Sequence, residues 1–170
     1  MIHVFIQGIS DGILEIDLES KVEDVPELSE EFFGLISIKG KLRKIGKRYT
    51  LDCKIACNAN LICDISLKEF VEMIHAELQL SYIADNERYF SQKKSSIEND
   101  NIKEIIIPED LKNIDITEEV REELDISIPM KRIAPEFSDK DFKDIYPELS
   151  YDTAKSIDDR WEVLKKLINN

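Results

Sequence analysis

Apolar and polar positions alternate with a period of two along much of the first half of the chain, the pattern of strands that bury one face. Val4 and Ile6 alternate with Phe5 and Gln7, which predicts a first strand from His3 to Ile9. Ser10-Asp11-Gly12 supplies turn chemistry. Leu14, Ile16 and Leu18 then resume the alternation around Glu15 and Asp17, so the two segments read as a hairpin. Asp24 to Phe33, with Pro26 and several acids, suits a helix start or a loop. Leu35 to Leu42 alternates again, Lys44-Ile45-Gly46-Lys47 makes a turn, and Arg48 to Cys53 reads as the returning strand. Ala59 to Ile65 is another strand candidate. Phe70, Ile74 and Leu78 would fit a helix, but Ala76, Leu80 and Tyr82 extend the even spacing and favour a strand.

The pattern changes after Tyr82. Asp85 to Asn101 is polar and reads as a long loop. Asp115-Ile116-Thr117-Glu118 has capping-box spacing and predicts a helix from Thr117 to Leu124. Ile126-Ser127-Ile128-Pro129 reads as a short strand stopped by proline. Pro135 to Thr153 is acidic and irregular. Ile157, Trp161, Leu164, Leu167 and Ile168 fall at helical spacing, so a C-terminal amphipathic helix is expected, capped by Ser156 or Asp158, with Trp161 on its buried face. No internal repeat or second domain is visible. The expected architecture is a single α+β domain over residues 1–170: a mostly antiparallel sheet or small barrel with a few peripheral helices.

Charge adds a distribution that hydropathy does not show. The 170-residue chain carries a formal charge of −13. From Met1 to Ser37, nine acids face one base, Lys21. From Ile38 to Asn60 the balance reverses, with Lys39, Lys41, Arg43, Lys44, Lys47, Arg48 and Lys54 facing only Asp52. An acidic surface repels phosphate and attracts basic partners, so this island is the one segment suited to direct contact with nucleic acid. Alternation along its two arms puts the cations largely on one exposed face. The alternative is a solvated edge hairpin whose lysines deter aggregation. Tyr49 is the only aromatic in the island, which does not support a stacking platform for single strands.

Motifs of catalysis are missing. The five glycines are dispersed and form no phosphate-cradling loop, and His3 and His75 have no serine or cysteine at a diagnostic spacing. Cys53, Cys57, Cys63 and His75 could supply a Cys3His zinc set, but they lack the tight knuckle spacing of structural sites and read better as small buried strand residues. No basic region leads into an apolar stretch at the N-terminus. The expectation is a cytoplasmic, non-catalytic binding protein with reduced thiols, no cofactor and no metal.

One set of segments goes beyond generic pattern. Cys63-Asp64-Ile65-Ser66-Leu67-Lys68-Glu69-Phe70 resembles the C-D-R-C-L-x-x-F signature of the YceD family of bacterial and plastid proteins. Ile114 to Leu124 followed by Ile126-Ser127-Ile128-Pro129-Met130-Lys131 is similar to a second segment of that family. Asp158-Asp159-Arg160-Trp161 with Leu164 and Leu167 resembles its closing D-P-R-W motif. The signature positions are thus Cys63, Asp64, Ser66, Leu67, Phe70, Pro129, Arg160 and Trp161. Ser66 stands where the family has a second cysteine, Asp159 stands where it has proline, and Ile133 to Tyr151 holds no cysteine. The family is named for accumulation of large-subunit ribosomal RNA. The resemblance implies a ribosome-biogenesis factor whose partners are precursor or mature large-subunit rRNA and a small, basic ribosomal protein of the zinc-ribbon type. The acidic faces would engage that protein, and the basic island would touch RNA.

Overall fold

The structure is a computed structural model that describes residues 1–92, 104–138, 140 and 146. By its contacts the chain divides into two compact units, Met1–Arg132 and Ile133–Asn170, and each is described by itself. The expected C-terminal helix, with Arg160 and Trp161, lies outside the described residues, as does most of the segment 135–153. Within the second unit the described backbone includes a short 3-10 turn, Pro135–Phe137.

The first unit is built on an open five-stranded sheet with the order β2-β3-β4-β5-β6. Its strands are β2 (Gly12–Lys21), β3 (Phe32–Ile45), β4 (Arg48–Ile62), β5 (Glu69–Ala84) and β6 (Glu104–Ile107). The class is α+β, as expected, and the sheet does not close into a barrel. Neighbouring strands are antiparallel except that β6 runs parallel to β5. β4 is one continuous strand where two were expected. Lys54, Ala56, Asn58 and Asn60 continue the outer positions while Ile55, Cys57, Ala59 and Leu61 continue the buried ones. Gly46, at φ 58, takes the first position of the two-residue turn between Ile45 and Arg48, a conformation that a side chain resists. Asp11 accepts a hydrogen bond from the Gly46 N–H at 3.2 Å.

The expected N-terminal hairpin does not form. The first strand is only β1 (His3–Phe5), and it pairs antiparallel with β7 (Asn113–Asp115), so that Val4 stands opposite Ile114. The non-local partner wins because Ile2, Val4 and Ile6 can then be buried with Ile114 and Ile116. The expected loop 85–101 begins instead with a helix, α1 (Asn86–Gln92), opened by a hydrogen bond from the Arg88 N–H to Asp85 Oδ1 at 3.0 Å.

The second helix, α2 (Thr117–Ser127), runs three residues past its expected end, through part of the short strand expected at Ile126. Pro129 disfavours helical geometry at the residue before it, and Ile128 is extended at φ −62, ψ 125. The expected capping box does not form, because Ile116 takes the N-cap position. Asp115 Oδ1 accepts from both the N–H and the hydroxyl of Thr117, but Glu118 pairs with Arg121 rather than reaching back. Thr117 Oγ1 in turn accepts from the Ile2 N–H at 2.8 Å, tying the helix start to the N-terminus.

The core lies on one face of the sheet. Ile36, Ile38 and Leu42 of β3, Leu51, Ile55 and Leu61 of β4, and Val120 and Leu124 of α2 are fully buried there. Each such side chain contributes about 1.5–3 kcal/mol by its removal from water. The opposite, outer face of β2–β5 is left to solvent and displays the residues considered next.

Candidate functional site

The register brings the basic island into the middle of the outer face. Lys39 of β3 pairs with Lys54 of β4, and this row continues outward to Asp17 on β2 and Glu77 on β5. The next row reads Glu15, Lys41, Asp52 and Gln79, and the third reads Ile13, Arg43, Thr50 and Ser81. Each cationic strand therefore has an acid-bearing strand beside it. Lys39 lies 3.5 Å from Asp17, and Lys54 lies 3.7 Å from Glu77. The island is not an edge hairpin, because β3 and β4 are both interior strands.

The remaining island cations leave this strip. Lys44 points to the other side, donates to the Ile9 carbonyl at 2.5 Å and sits over the Tyr49 ring. Lys47 donates to Glu109 at 2.6 Å, and that hydrogen bond raises its pKa. Arg48 pairs with Glu104 at 2.9 Å. Among the described residues, only Lys41 and Arg43 of the six island candidates have neither an ion pair nor a hydrogen-bonded side chain. The rows line a shallow depression of about 520 Å³ whose floor includes Gly40 and Cys53. Its four cations are matched by Glu15, Asp17, Asp52 and Glu77.

The cysteines do not assemble with His75. Cys53 and Cys57 are buried on the core face, whereas His75 stands exposed on the outer face opposite Ala56. Burial pushes the Cys53 thiol up to about 11 and raises that of Cys57 as well. Among the described residues, no group of three or more His, Cys, Asp or Glu side chains is placed to hold a metal ion. Among the same residues, no helix is long and apolar enough to cross a membrane.

The signature residues that the structure describes, Cys63 to Phe70 and Pro129, converge at the far end of the sheet. Beyond β4, residues 63–68 fold back through hydrogen bonds from the Cys63 N–H to the Lys68 carbonyl at 2.9 Å and from the Leu67 N–H to the Cys63 carbonyl at 2.8 Å. Phe70 then starts the return opposite Leu61. The segment after α2 closes onto this turn. The Asp64 N–H donates to the Arg132 carbonyl at 2.7 Å, and the Arg132 N–H donates to Asp64 Oδ2 at 2.7 Å. The Arg132 guanidinium reaches Glu31 at 2.5 and 3.3 Å, a two-pronged pair that fixes a third segment. Sequence reasoning missed both Glu31 and Arg132, since neither lies in a recognised motif.

The three segments enclose a cleft of about 990 Å³ lined by Glu27, Glu30, Cys63, Asp64, Leu67, Pro129 and Met130, among others. Leu67, at φ 57, is 78% exposed, and Met130 is fully exposed. Ser66 Oγ is buried and has no hydrogen-bond partner among the described residues.

A family model described as large ribosomal RNA subunit accumulation protein YceD matches residues 51–168. No curated protein and no solved structure matches the chain.

Proposed function

The chain belongs to the YceD family, and on that premise we propose that it is a non-catalytic, cytoplasmic ribosome-biogenesis factor that supports accumulation of large-subunit ribosomal RNA. It does so by binding a basic large-subunit ribosomal protein of the zinc-ribbon type, and through it or beside it, precursor rRNA. The observation that carries this reading is the match over residues 51–168, within which Asp64 of the signature turn bonds the Pro129–Arg132 segment. A net charge of −13 gives the molecule a field that speeds encounter with a cationic protein.

Direct RNA contact falls to Lys41 and Arg43, the island cations with neither an ion pair nor a hydrogen-bonded side chain among the described residues. The other cations of the strip would have to exchange their carboxylate partners for phosphate. Such contact has little sequence preference and weakens steeply with salt.

The test is copurification with pre-ribosomal particles, read out by crosslinking to RNA and to ribosomal proteins. The chain should crosslink to a basic large-subunit protein, and Lys41→Glu with Arg43→Glu should remove RNA crosslinks while leaving folding intact. RNA crosslinks that persist in this variant would move the RNA contact elsewhere. Magnesium-dependent RNA cleavage by the pure protein would replace the binding reading with a nuclease.

A further inference from the structure

The outer face ends in apolar side chains that are left in solvent. Phe33 of β3 and Met73 of β5 stand on either side of Asn58 of β4. Val71 follows two residues along β5, and Ile62 lies diagonal to it, because Asn60 pairs with Val71 and Ile62 with Glu69. Diagonal neighbours on one face are within reach of long side chains. Ile62 also lines the cleft that holds Leu67 and Met130, so the apolar surface continues around the end of the sheet. All six side chains are exposed. A contiguous apolar surface of this kind marks an interaction site rather than scattered surface residues.

Charge selects the occupant. Glu27 and Glu30 line the cleft, and Glu69 stands beside Ile62. Among the described residues the cleft's one cation, Arg132, is taken up by Glu31, while Lys68 and Lys131 do not line it. A second copy of a chain at −13 would meet like charge, and an RNA strand would bring phosphates against carboxylates. We propose that this end of the molecule docks a cationic segment of a protein partner, with an apolar side chain of that segment packed against Leu67 and Met130 and its lysines or arginines facing Glu27 and Glu30. The inference rests on the reading that the partner is a basic protein, and it locates that partner. The Glu31–Arg132 pair and the Asp64–Arg132 bonds already hold the cleft's walls together in the free protein, which reduces the ordering cost of binding.

The test uses the full chain and a short fluorescein-labelled peptide in which lysine and arginine flank a leucine and a phenylalanine. A counterpart with glutamate in place of each cation serves as control, and binding is followed by anisotropy. The wild type should bind the cationic peptide saturably and the control not at all. Leu67→Asn with Met130→Ser should weaken binding by about tenfold or more, as loss of a central apolar anchor does. Both sites are exposed, and asparagine tolerates the left-handed backbone at residue 67. Glu27→Asn with Glu30→Gln should weaken binding and flatten its salt dependence, while Glu119→Gln with Glu122→Gln on α2 should change neither.

Three results would overturn the proposal. The control peptide could bind as well as the cationic one, or the α2 variant could lose as much affinity as the cleft variants. Alternatively, an oligoribonucleotide could displace the peptide and lose its own binding in the Leu67→Asn, Met130→Ser variant. Large-subunit rRNA in cells lacking the chain reports separately on the family role. A loss of rRNA together with a failed peptide test removes the docking inference and leaves that role standing.

Discussion

The two ends of the outer face are built from the same strands and answer the same problem, a sheet surface facing water, in opposite ways. Near the β3–β4 turn, Lys39, Lys41, Arg43 and Lys54 meet Asp17, Glu15, Asp52 and Glu77 across the strands. Near the β4–β5 turn, Phe33, Ile62, Val71 and Met73 meet no such partners and remain exposed. The first end is close to neutral, although its segment carries seven cations and one acid along the chain. A charge run in a strand describes a surface only after its neighbours are known. The exposed ion pairs there contribute about 0–1 kcal/mol each. Their stronger effect is on register, since a slip of one residue would turn the lysines toward the core.

The sharpest way to break the charged end is through its floor rather than its charges. A Cβ on Gly40 would fall 2.1 Å from the Asp52 carbonyl oxygen and 2.7 Å from Cys53 Sγ, so backbone would have to move. Gly40→Ala should cost about 3 kcal/mol in urea unfolding, at the upper end of overpacking effects. A loss below about 0.5 kcal/mol, the size of an ordinary surface change, would mean that β3 and β4 do not approach as described.

At the other end the corresponding lever is Arg132. Arg132→Ala should cost about 1–2 kcal/mol, because the lost hydrogen bonds are charged but a third exposed. Hydrogen exchange should quicken at the Asp64 and Leu67 amides and stay unchanged over residues 39–43. Equal acceleration at both ends would show that they are one cooperative unit. A smaller effect of opposite sign belongs to Ser66, whose hydroxyl is buried without a partner among the described residues. Ser66→Ala should stabilise the chain by about 1 kcal/mol, the cost of an unsatisfied polar group.

The last effect shows only at alkaline pH. Burial raises the Cys53 thiol from 9.0 to about 11, so the native state holds this proton where the unfolded chain has released it. The contribution to stability is complete below pH 9.0 and is lost as the pH rises toward about 11. Cys53→Ala should show a shallower fall in stability over that window. An unchanged slope would assign the fall to other groups.

Much of this was legible in the alternation of residues. Most of β3 and β5 follows from the alternation of apolar positions, and the start of α2 from the capping spacing of Asp115 and Glu118. What was not legible is what depends on distant partners. His3 to Phe5 looks like the first arm of a hairpin, and only Ile114, far along the chain, makes it the partner of β7. Ala56, Asn58 and Asn60 hide the continuity of β4, since small and polar residues weaken the strand signal at outer positions. The cations of the island could be read along the chain, but the acids that balance them lie on β2, β5, β6 and the segment that follows β6. The signature turn was recognised from its residues, whereas the Glu31–Arg132 brace joins two residues about a hundred positions apart.

The central claim is that this chain supports large-subunit rRNA through its apolar end. The most direct measurement is the ratio of large-subunit to small-subunit rRNA in cells deleted for the chain and complemented with variants. The wild type and the α2 variant Glu119→Gln, Glu122→Gln should restore the ratio fully or nearly so, and Val71→Ser with Met73→Ser should fail to restore it while remaining folded and abundant. Full restoration by the Val71→Ser, Met73→Ser variant, or an unaltered ratio in the deleted cells, would contradict the account.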